Sequence, residues 1–548
     1  MIITSFLTGV LVRRLSILGL AVLFSFGALL APSDHTSVAS AATQTVKRLA
    51  GADRYATAAA ISAAHFAPGA PVAYIATGLN YPDALAGGPA AAKAGGPILL
   101  TAATWIPGPT TTELARLKPA KIYILGGPSV VSDSILASLR KYATSGVIQR
   151  LAGADRYATA AAISAAHFAP GVKVAYVVTG ANYTDALVAA PAAVRGGGPL
   201  LLTAKNYIPT PLATELRRLK PTKIVIVGGT GAVSAAVMTS LQSYASGGVT
   251  RLAGADMYAT TAAVSAANFP ANTKRVYIAT TSSFPDGLAG GAVAGRTGSP
   301  LLLTPSHSAL PTAIVNELKR LNPTELYILG GESVVSPGVV SELRLRLGDI
   351  PALPGCGYGN VLTKFRNYAD HTRTLLDLYY MVPSTYKATD LAPVTNAGAR
   401  YGTYGVPYAR NAIMSELKAL VAAVKAAGYG QLKINTAFRD YNLQATWWGN
   451  YVRNGGSKTY PTTLPPGHSE HQLGTTLDID VYAASGLNAW MTNNAWKYGF
   501  IKSYPPGKNA KHCIGSEDWH YRYVGRDAAK YIQNTGLTIR EYQWRLQH

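Results

Sequence analysis

The chain has 548 residues, of which 48% are hydrophobic and 14% are charged, a composition that predicts several globular domains and argues against disorder. The formal net charge is +22, and the basic residues are scattered along the chain without a long like-charged block. We therefore expect a diffuse positive surface suited to an anionic matrix, and the lack of a basic, aromatic-interleaved motif argues against nucleic-acid binding.

The first 41 residues have the order of a secretory signal peptide. Arg13 and Arg14 precede an apolar run from residue 15 to residue 31, and residues 39–41 (Ala-Ser-Ala) offer small side chains for cleavage. The alternative is an uncleaved anchor, but the run is shorter than the ~20 apolar residues that a spanning helix prefers. Residues 1–41 thus predict an exported protein with no stable membrane span after cleavage.

Export bears on the two cysteines, Cys356 and Cys513. Disulfides persist outside the cell, so one bridge can tie the start of the last domain to the loop before "SEDWH". Two buried or free thiols are the alternative.

An internal repeat occupies the region after the signal peptide. "RLAGADRYATAAAISAAHF" begins at Arg48 and recurs unchanged at Arg150, and "RLAGADMYATTAAVSAANF" begins at Arg251. A spacing of about 100 residues is too long for a solenoid repeat and is typical of a small domain. The repeat therefore predicts three modules, at 46–146, 147–248 and 249–347.

Short apolar, β-branched runs alternate with Ala-rich stretches inside each copy. In the first copy, strands are predicted at 72–77, 97–101 and 121–125, and helices at 57–66, 83–94 and 132–142. Near-continuous apolar strands alternating with helices indicate a parallel sheet covered on both faces, so each copy is predicted to be a compact α/β unit.

The repeats contain residues for binding but none for catalysis. Gly126 and Gly127 follow a strand without the spacing of a dinucleotide site, which favours a tight turn. Asp53 and Arg54 head a helix, where they either cap it and pair with each other or contact a ligand. No nucleophile–base pair or metal cluster occurs in any copy, so the modules are predicted to bind rather than to catalyse.

The blocks "RLAGADRYAT", "YPDALAG", "GGPILLT" and "YILGG", in this order, resemble the type-two cell-wall-binding repeats of Gram-positive surface proteins over about 46–347. The resemblance implies three Rossmann-like or Toprim-like modules around a pseudo-threefold axis, bound non-covalently to anionic secondary wall polymers. Met257 replaces the arginine found at 54 and 156, so the third module is expected to bind differently if that arginine contacts polymer. Thr184 replaces a proline in the second copy.

The composition changes after the third repeat. Prolines and glycines mark a linker at 348–360, and 361–548 is long enough for one domain. Residues 409–427 are apolar at helical spacing, and "LKINTAF" after them predicts a strand.

The segment "GHSEHQLGTTLDID" gathers candidate metal ligands in this last domain. His471 and Asp478 are seven positions apart, which suits a loop-to-strand arrangement, and "SEDWHYRYVG" supplies His520 with Glu517 three positions before it. Zinc hydrolysis needs three protein ligands, an open position and a carboxylate that takes a proton from water. Two imidazoles and a carboxylate favour Zn²⁺ over Ca²⁺.

Each of these residues has an alternative. His468 can replace His471 as a ligand, Asp480 can replace Asp478, and Asp518 can replace Glu517 as the base. A histidine beside a tryptophan is also often structural, and an aspartate often caps a turn. Spacing alone leaves these alternatives open.

The blocks "TAFRDYNLQ", "PPGHSEHQLGTTLDID" and "SEDWHYRYVG", in this order, resemble the VanY-type D-alanyl-D-alanine carboxypeptidases. The resemblance implies an α+β zinc peptidase domain with Zn²⁺ as cofactor. It implies zinc ligands, a general base and acid, and a site for the substrate's C-terminal carboxylate. The implied zinc ligands are His471, Asp478 and His520. The implied base and acid is Glu517, and the residues implied to bind the carboxylate are Arg439, Gln444 and Ser469.

The sequence therefore predicts a multidomain protein, in which three α/β wall-binding modules precede a zinc D,D-carboxypeptidase that trims peptidoglycan stem peptides at a Gram-positive surface. An L,D-carboxypeptidase or an endopeptidase on the same scaffold is the first alternative. A wall-bound surface protein without catalysis is the second.

Overall fold

The computed structural model describes residues 45–82, 84–356, 363–364, 370–402, 404–457 and 459–548. The predicted signal peptide and part of the predicted linker lie outside these residues. Residues 43–548 form one compact unit. In the described part of the chain, no helix combines the length and the apolar character needed to cross a bilayer.

Strands and helices alternate through the repeat region. The strands are β1 (Thr45–Leu49), β2 (Val72–Thr77), β3 (Ile98–Thr101), β4 (Lys121–Leu125), β5 (Val147–Leu151), β6 (Val174–Thr179), β7 (Leu200–Thr203), β8 (Lys223–Val227), β9 (Val249–Leu252), β10 (Arg275–Thr280), β11 (Leu301–Thr304) and β12 (Glu325–Leu329). The helices are α1 (Arg54–His65), α2 (Gly87–Ala94), α3 (Gly108–Leu117), α4 (Asp133–Leu139), α5 (Arg156–His167), α6 (Thr184–Gly196), α7 (Thr210–Leu219), α8 (Ala235–Leu241), α9 (Met257–Asn268), α10 (Pro285–Arg296), α11 (Thr312–Leu321) and α12 (Pro337–Arg346). The predicted alternation is thus confirmed.

The strands form parallel sheets, and each sheet includes one strand from a neighbouring repeat. The sheet orders are β3-β2-β4-β5, β7-β6-β8-β9 and β11-β10-β12-β1. The strand that opens each repeat therefore completes the sheet of the repeat before it, and β1 closes the ring by pairing in parallel with β12. A sequence repeat and a sheet share only part of their residues.

Each repeat begins its first helix with the same cap. The Asp53 carboxylate accepts a hydrogen bond from the backbone N–H of Ala56 at 2.8 Å, and Asp155 and Asp256 do the same in the other copies. Arg54 donates to the carbonyl of Gly78 and so does not serve as the partner of Asp53. The capping interpretation of Asp53 is confirmed.

The Gly-Gly pair that follows β4, β8 and β12 in the three modules is a tight turn, as predicted. Gly126, Gly228 and Gly330 have φ angles of 102°, 112° and 102°, a region that favours glycine. A Cβ at Gly228 would also lie 2.4 Å from a carboxylate oxygen of Asp185. The turn therefore brings backbone against a buried acid.

The three modules contact one another through equivalent helices. Helices α2, α6 and α10 pack against one another, and the rings of Tyr81, Tyr183 and Phe284 lie 5.3–5.9 Å apart in all three pairs. Each of these helices also ends near a basic side chain that lies over a phenylalanine ring of a neighbouring module. That phenylalanine follows the first helix of its module. The pairs are Lys93 with Phe168, Arg195 with Phe269, and Arg296 with Phe66.

The C-terminal domain is built on a mixed sheet. Its strands are β13 (Thr363–Lys364), β14 (Tyr380–Met381), β15 (Leu391–Pro393), β16 (Arg400–Tyr401), β17 (Tyr408–Arg410), β18 (Lys433–Thr436), β19 (Thr476–Ile479), β20 (Phe500–Tyr504) and β21 (Glu517–Tyr523). Its helices are α13 (Met414–Val424), α14 (Tyr441–Arg453), α15 (Leu487–Asn494), α16 (Asn509–His512), α17 (Arg526–Thr535) and α18 (Ile539–Gln547). The main sheet has the order β16-β18-β19-β21-β20. Cys356 and Cys513 form a disulfide.

One predicted helix begins too early. Residues 409–427 were expected to be helical throughout, but Ala409 and Arg410 belong to β17, which pairs with β15, and the α-helix begins at Met414. The N–H of Arg410 donates to the carbonyl of Gly474. This tertiary pairing overrides the local apolar periodicity. The predicted strand in "LKINTAF" is confirmed as β18.

The third repeat shares a hydrophobic core with the C-terminal domain. Val339 and Leu343 of α12 pack in one cluster with Tyr531 and Ile532 of α17 and with residues of α18. The hydroxyl of Tyr531 donates to Glu342 at 3.1 Å. The ring and the C-terminal domain are therefore joined by a packed interface.

Candidate active site

Three side chains from separate segments converge where β19 and β21 pair in the interior of the main sheet. His471 lies on a 3₁₀ turn before β19, Asp478 on β19, and His520 on β21 directly opposite Asp478. One ligand atom of each lies within 4.8 Å of the other two, and all three side chains are buried. The loop-to-strand arrangement expected for His471 and Asp478 is confirmed.

The spacing of these atoms fits a zinc ion. His471 Nε2 is 3.2 Å from Asp478 Oδ2, and His520 Nδ1 is 3.3 Å from Asp478 Oδ1. Tetrahedral ligands about 2.0–2.2 Å from zinc lie about 3.3 Å apart, which matches these two contacts, one through each oxygen of Asp478, and the three ligand atoms all lie within 4.8 Å of one another. His471 Nε2 and Asp478 Oδ1 are buried and have no hydrogen-bond partner among the described residues, as expected of atoms that bind a metal.

His471 is held as a neutral ligand. Its Nδ1 donates to the carbonyl of Ala437 at 2.5 Å, which leaves the Nε2 lone pair facing the site. Burial, reinforced by the Arg439 guanidinium, lowers the pKa of His471 to about 4. Although burial opposes ionisation of Asp478, the two imidazoles hold the pKa of this carboxyl well below its usual range.

A buried carboxylate orients His520. Glu470 Oε2 is 3.2 Å from His520 Nε2, so Nδ1 faces the ligand set. Arg522 binds the other oxygen of Glu470 at 2.8 Å, and the hydroxyl of Ser503 donates to Oε2 at 2.6 Å. Burial opposes ionisation of Glu470, but these partners, with Arg522 the largest contributor, lower its pKa to about 2.

Glu517 is beside the ligand set but outside it. One of its oxygens lies 3.1 Å from His520 Nδ1. The side chain is 4% exposed, and burial raises the pKa of its carboxyl. A carboxylate with a raised pKa is suited to exchanging a proton with water near neutrality.

The residues predicted to hold a carboxylate line the same pocket. Arg439, Gln444 and Ser469 surround it together with His471, Glu517 and His520. Arg439 is 8% exposed, and its guanidinium stacks over the Trp447 ring at 4.4 Å. Arg439 Nε is buried without a partner among the described residues, so it is a donor available to a ligand.

Gln444 is oriented as an acceptor. Its Nε2 donates to the carbonyl of Leu464 at 2.7 Å, and its Oε1 is buried without a partner in the described part of the chain. An acceptor suits an N–H of a substrate better than a carboxylate. Arg439 and Ser469 are donors in the described pocket that suit a carboxylate.

The alternative residues lie elsewhere. His468 Nδ1 is bound to the carbonyl of Asp377 at 2.6 Å. Asp480 pairs with Lys433 at 2.9 Å, and Asp518 pairs with Lys502 at 2.7 Å. None of the three belongs to the group of possible ligands found among the described residues.

Sequence reasoning missed several residues around the site. Glu470 and Arg522 lie inside quoted blocks but have no predicted role, and Tyr504 lies outside every quoted block. Glu470 had a detectable signal, since an acid next to a metal-binding histidine commonly orients another ligand. Arg522 and Tyr504 could be found only from strand pairing.

Two family models match this chain. Residues 407–526 match the VanY model, described as D-alanyl-D-alanine carboxypeptidase. Residues 48–136, 150–238 and 251–340 match cell wall binding domain 2. The chain carries a VanY domain behind three cell wall binding domains. Both resemblances stated from the sequence are confirmed.

Two curated relatives match different parts of the chain. The N-acetylmuramoyl-L-alanine amidase LytC of Bacillus subtilis is 30% identical over 303 residues, which cover 55% of this chain and 59% of LytC. A D-alanyl-D-alanine carboxypeptidase of Enterococcus faecalis is 43% identical over 84 residues, which cover 14% of this chain and 30% of that protein. The chain thus spans less than two thirds of either relative.

A solved structure resembles more than half of the chain. Cwp8 from Clostridium difficile superposes with a TM-score of 0.51 and 26% identity, over 56% of this chain and 52% of that chain.

Proposed function

We propose that this protein is an exported, wall-anchored zinc carboxypeptidase that removes the C-terminal D-alanine from peptidoglycan stem peptides. The observation that carries the proposal is the convergence of His471, Asp478 and His520 next to Glu517 and Arg439 in one pocket. Zinc held by the three ligands would supply the Lewis acidity that makes water a nucleophile at neutral pH.

Glu517 is proposed to move the proton. It takes a proton from the attacking water and later gives it to the amino group of the leaving D-alanine, so the carboxyl group ends the cycle as it began. The proposal is supported by the 3.1 Å distance to His520 Nδ1, which places the carboxylate beside the ligand set. The reaction needs no covalent intermediate.

Arg439 and Ser469 are proposed to bind the substrate's terminal carboxylate. A guanidinium in a buried pocket forms strong, charge-assisted hydrogen bonds with a carboxylate. Gln444 is proposed to accept a hydrogen bond from an N–H of the substrate, since its acceptor oxygen is the atom without a partner among the described residues. These contacts favour a free C-terminus over an internal peptide bond.

The three repeats are proposed to hold the enzyme on anionic wall polymer at a Gram-positive surface. Their support is the match to cell wall binding domain 2 and the net charge of +22. Tethering raises the effective concentration of the enzyme near its substrate, and three modules add avidity.

The test is a digest of stem peptides by the purified full chain. We expect release of one alanine from a pentapeptide ending in D-Ala-D-Ala, no cleavage of the tetrapeptide, and loss of activity with a chelator that returns on addition of zinc. Cleavage of the tetrapeptide would instead identify an L,D-carboxypeptidase, and cleavage within cross-linked peptides an endopeptidase.

A non-catalytic wall protein is the competing class. Glu517→Gln separates the two classes because the amide cannot take a proton, while the three ligands are unchanged. We expect this variant to retain zinc and to lose about 10²–10⁴-fold in kcat. Equal release of D-alanine by the variant and the wild type would refute the mechanism.

A further inference from the structure

Tyr504 lies opposite Glu517, the proposed general base, on the neighbouring strand of the main sheet. It lies on β20 directly opposite Glu517 on β21 in an antiparallel pair, and opposed residues place their side chains on the same face. Its ring centroid lies 4.6 Å from that of His520. Tyr504 also lines the pocket with Arg439, Ser469 and Glu517.

The hydroxyl of Tyr504 has no partner within the described chain. The residue is 6% exposed, and its hydroxyl oxygen is buried without a hydrogen bond. Most buried polar groups in native proteins are hydrogen-bonded, and a ligand in the pocket that Tyr504 lines would complete this hydroxyl. The surrounding side chains are those proposed to contact the substrate.

We infer that Tyr504 is a further catalytic residue, whose phenol donates a hydrogen bond to the scissile carbonyl oxygen as it becomes an oxyanion. The inference rests on the proposed function. The phenol O–H is neutral at pH 7 and keeps its proton throughout, because a hydrogen bond alone strengthens as negative charge develops on the oxygen. Arg439, bound to the substrate carboxylate, is then not the only donor near the reacting bond.

The chain offers a matched control for a tyrosine substitution. Tyr521 is 1% exposed and lies next to His520 on β21, but alternation of side chains turns it to the opposite face. There it packs in the core with Leu477 and Ile479. Tyr521→Phe therefore removes a buried hydroxyl without touching the pocket.

The experiment compares Tyr504→Phe, Tyr521→Phe and the wild type as full-length, zinc-loaded chains. For Tyr504→Phe we expect unchanged zinc content, a KM within about 2-fold and a kcat lower by about 10²-fold. Affinity for a phosphinate analogue of D-Ala-D-Ala, which mimics the tetrahedral geometry, should fall by a similar factor, while affinity for D-Ala-D-Ala itself should change little. Tyr521→Phe should match the wild type in all of these readouts.

The outcomes are distinguishable. If the wild type is active and Tyr504→Phe has a kcat and a phosphinate affinity within about 3-fold of the wild-type values, the inference is wrong but the proposed function stands. The inference is also wrong if the loss of activity is explained by a lower zinc content. A wild type that cleaves no stem peptide overturns the proposed function, and the role of Tyr504 falls with it.

Discussion

Each ligand of the proposed metal centre is fixed by a contact on its far side. His471 donates to Ala437, Asp478 accepts from the hydroxyl of Thr436 at 2.7 Å, and His520 contacts Glu470. These contacts choose the imidazole nitrogen that faces the site and restrict rotation of the carboxylate. A ligand set that is ordered before the metal binds loses less entropy on binding.

Glu470 offers a direct test of this ordering. Glu470→Gln removes the charge facing His520 Nε2 and leaves the buried Arg522 without a carboxylate partner. We expect zinc affinity to fall by about 10–100-fold, measured by competition with a chromogenic chelator. Asp518→Asn is the control, because Asp518 pairs with Lys502 outside the ligand set. Equal zinc affinity in both variants would show that Glu470 does not orient the ligand.

The sequence indicated the residues that converge in the pocket but not the contacts that support them, for a physical reason. His471, Asp478, Glu517 and His520 are of residue types that can bind zinc or move a proton, so they stand out in the sequence. Arg522 acts through buried contacts with Glu470 and with the carbonyls of residues 371 and 374. Such contacts depend on pairing between distant segments, which spacing does not encode.

At the scale of the helix, the first helix of the third repeat differs from those of the other two repeats in its first residue. Arg54 and Arg156 each use one guanidinium nitrogen to bind the carbonyl after the first sheet strand of their module, at Gly78 and Gly180. The third module has the half-exposed Met257 at this position. If polymer binds here, the first two modules contribute more than the third.

Opposite substitutions at this position should change wall binding in opposite directions. We expect Arg54→Met to weaken binding of the full chain to purified walls by about 10-fold, because a charge-assisted contact is lost. Met257→Arg should strengthen it, and both differences should shrink as salt is raised. Sedimentation with intact walls and with walls stripped of anionic polymer provides the measurement. Unchanged binding by both variants, at an unchanged Tm, would exclude this position.

The ends of the first helices form a second repeated contact, between modules. Tyr277 contacts His65 at 3.3 Å, and Tyr176 donates to Asn268 at 2.7 Å at the corresponding interface. Burial, together with the cations Arg275, Arg296 and Lys47, lowers the pKa of His65 to about 4. His65 is therefore neutral in the folded ring but takes a proton when unfolded below about pH 6.5.

The sign of the pH dependence follows from this shift. The unfolded state binds more protons at this site between pH 6.5 and pH 4, so stability from His65 is lost as the pH falls through that window. We expect the Tm of His65→Asn, measured against the wild type, to rise by about 2–4 °C between pH 7 and pH 5. Asp185 and Asp286, whose pKa burial raises to about 6, titrate equally in both proteins. A constant Tm difference across this range would contradict the account.

Elements and connections were not equally predictable. The apolar runs at 72–77 and 121–125 coincide with β2 and β4, because a strand buried on both faces has an unmistakable composition. The exchange of β5, β9 and β1 into neighbouring sheets was not predicted. Periodicity locates an element but not its partner, and residues 409–413 were assigned to a helix for the same reason.

At the scale of the whole molecule, the third repeat is adapted to the VanY domain. Gly338 occupies the position of Ser134 and Ala236 in the other repeats, and the Tyr531 ring lies against its backbone. Glu342, where the others have serine, accepts from both Tyr531 and the backbone of Leu310. These differences fit the packing of the VanY domain against this repeat.

The interface can be tested by restoring the side chain. A Cβ at Gly338 would lie 2.6 Å from the Tyr531 ring, so we expect Gly338→Ala to destabilise the interface by about 1–3 kcal/mol. Hydrogen exchange of α12 and α17 should accelerate. Ala236→Ser, at the same position in the second repeat, should leave exchange unchanged. Identical exchange in both variants would show that the packing does not depend on this glycine.

The central claim is that His471, Asp478 and His520 hold one zinc ion. The most direct measurement is the metal content of the purified full chain by elemental analysis, alongside His520→Ala. We expect one zinc per wild-type chain and little zinc in the variant at the same concentration of free metal. A folded wild-type chain that binds no transition metal, or a variant that binds it equally well, would contradict the account.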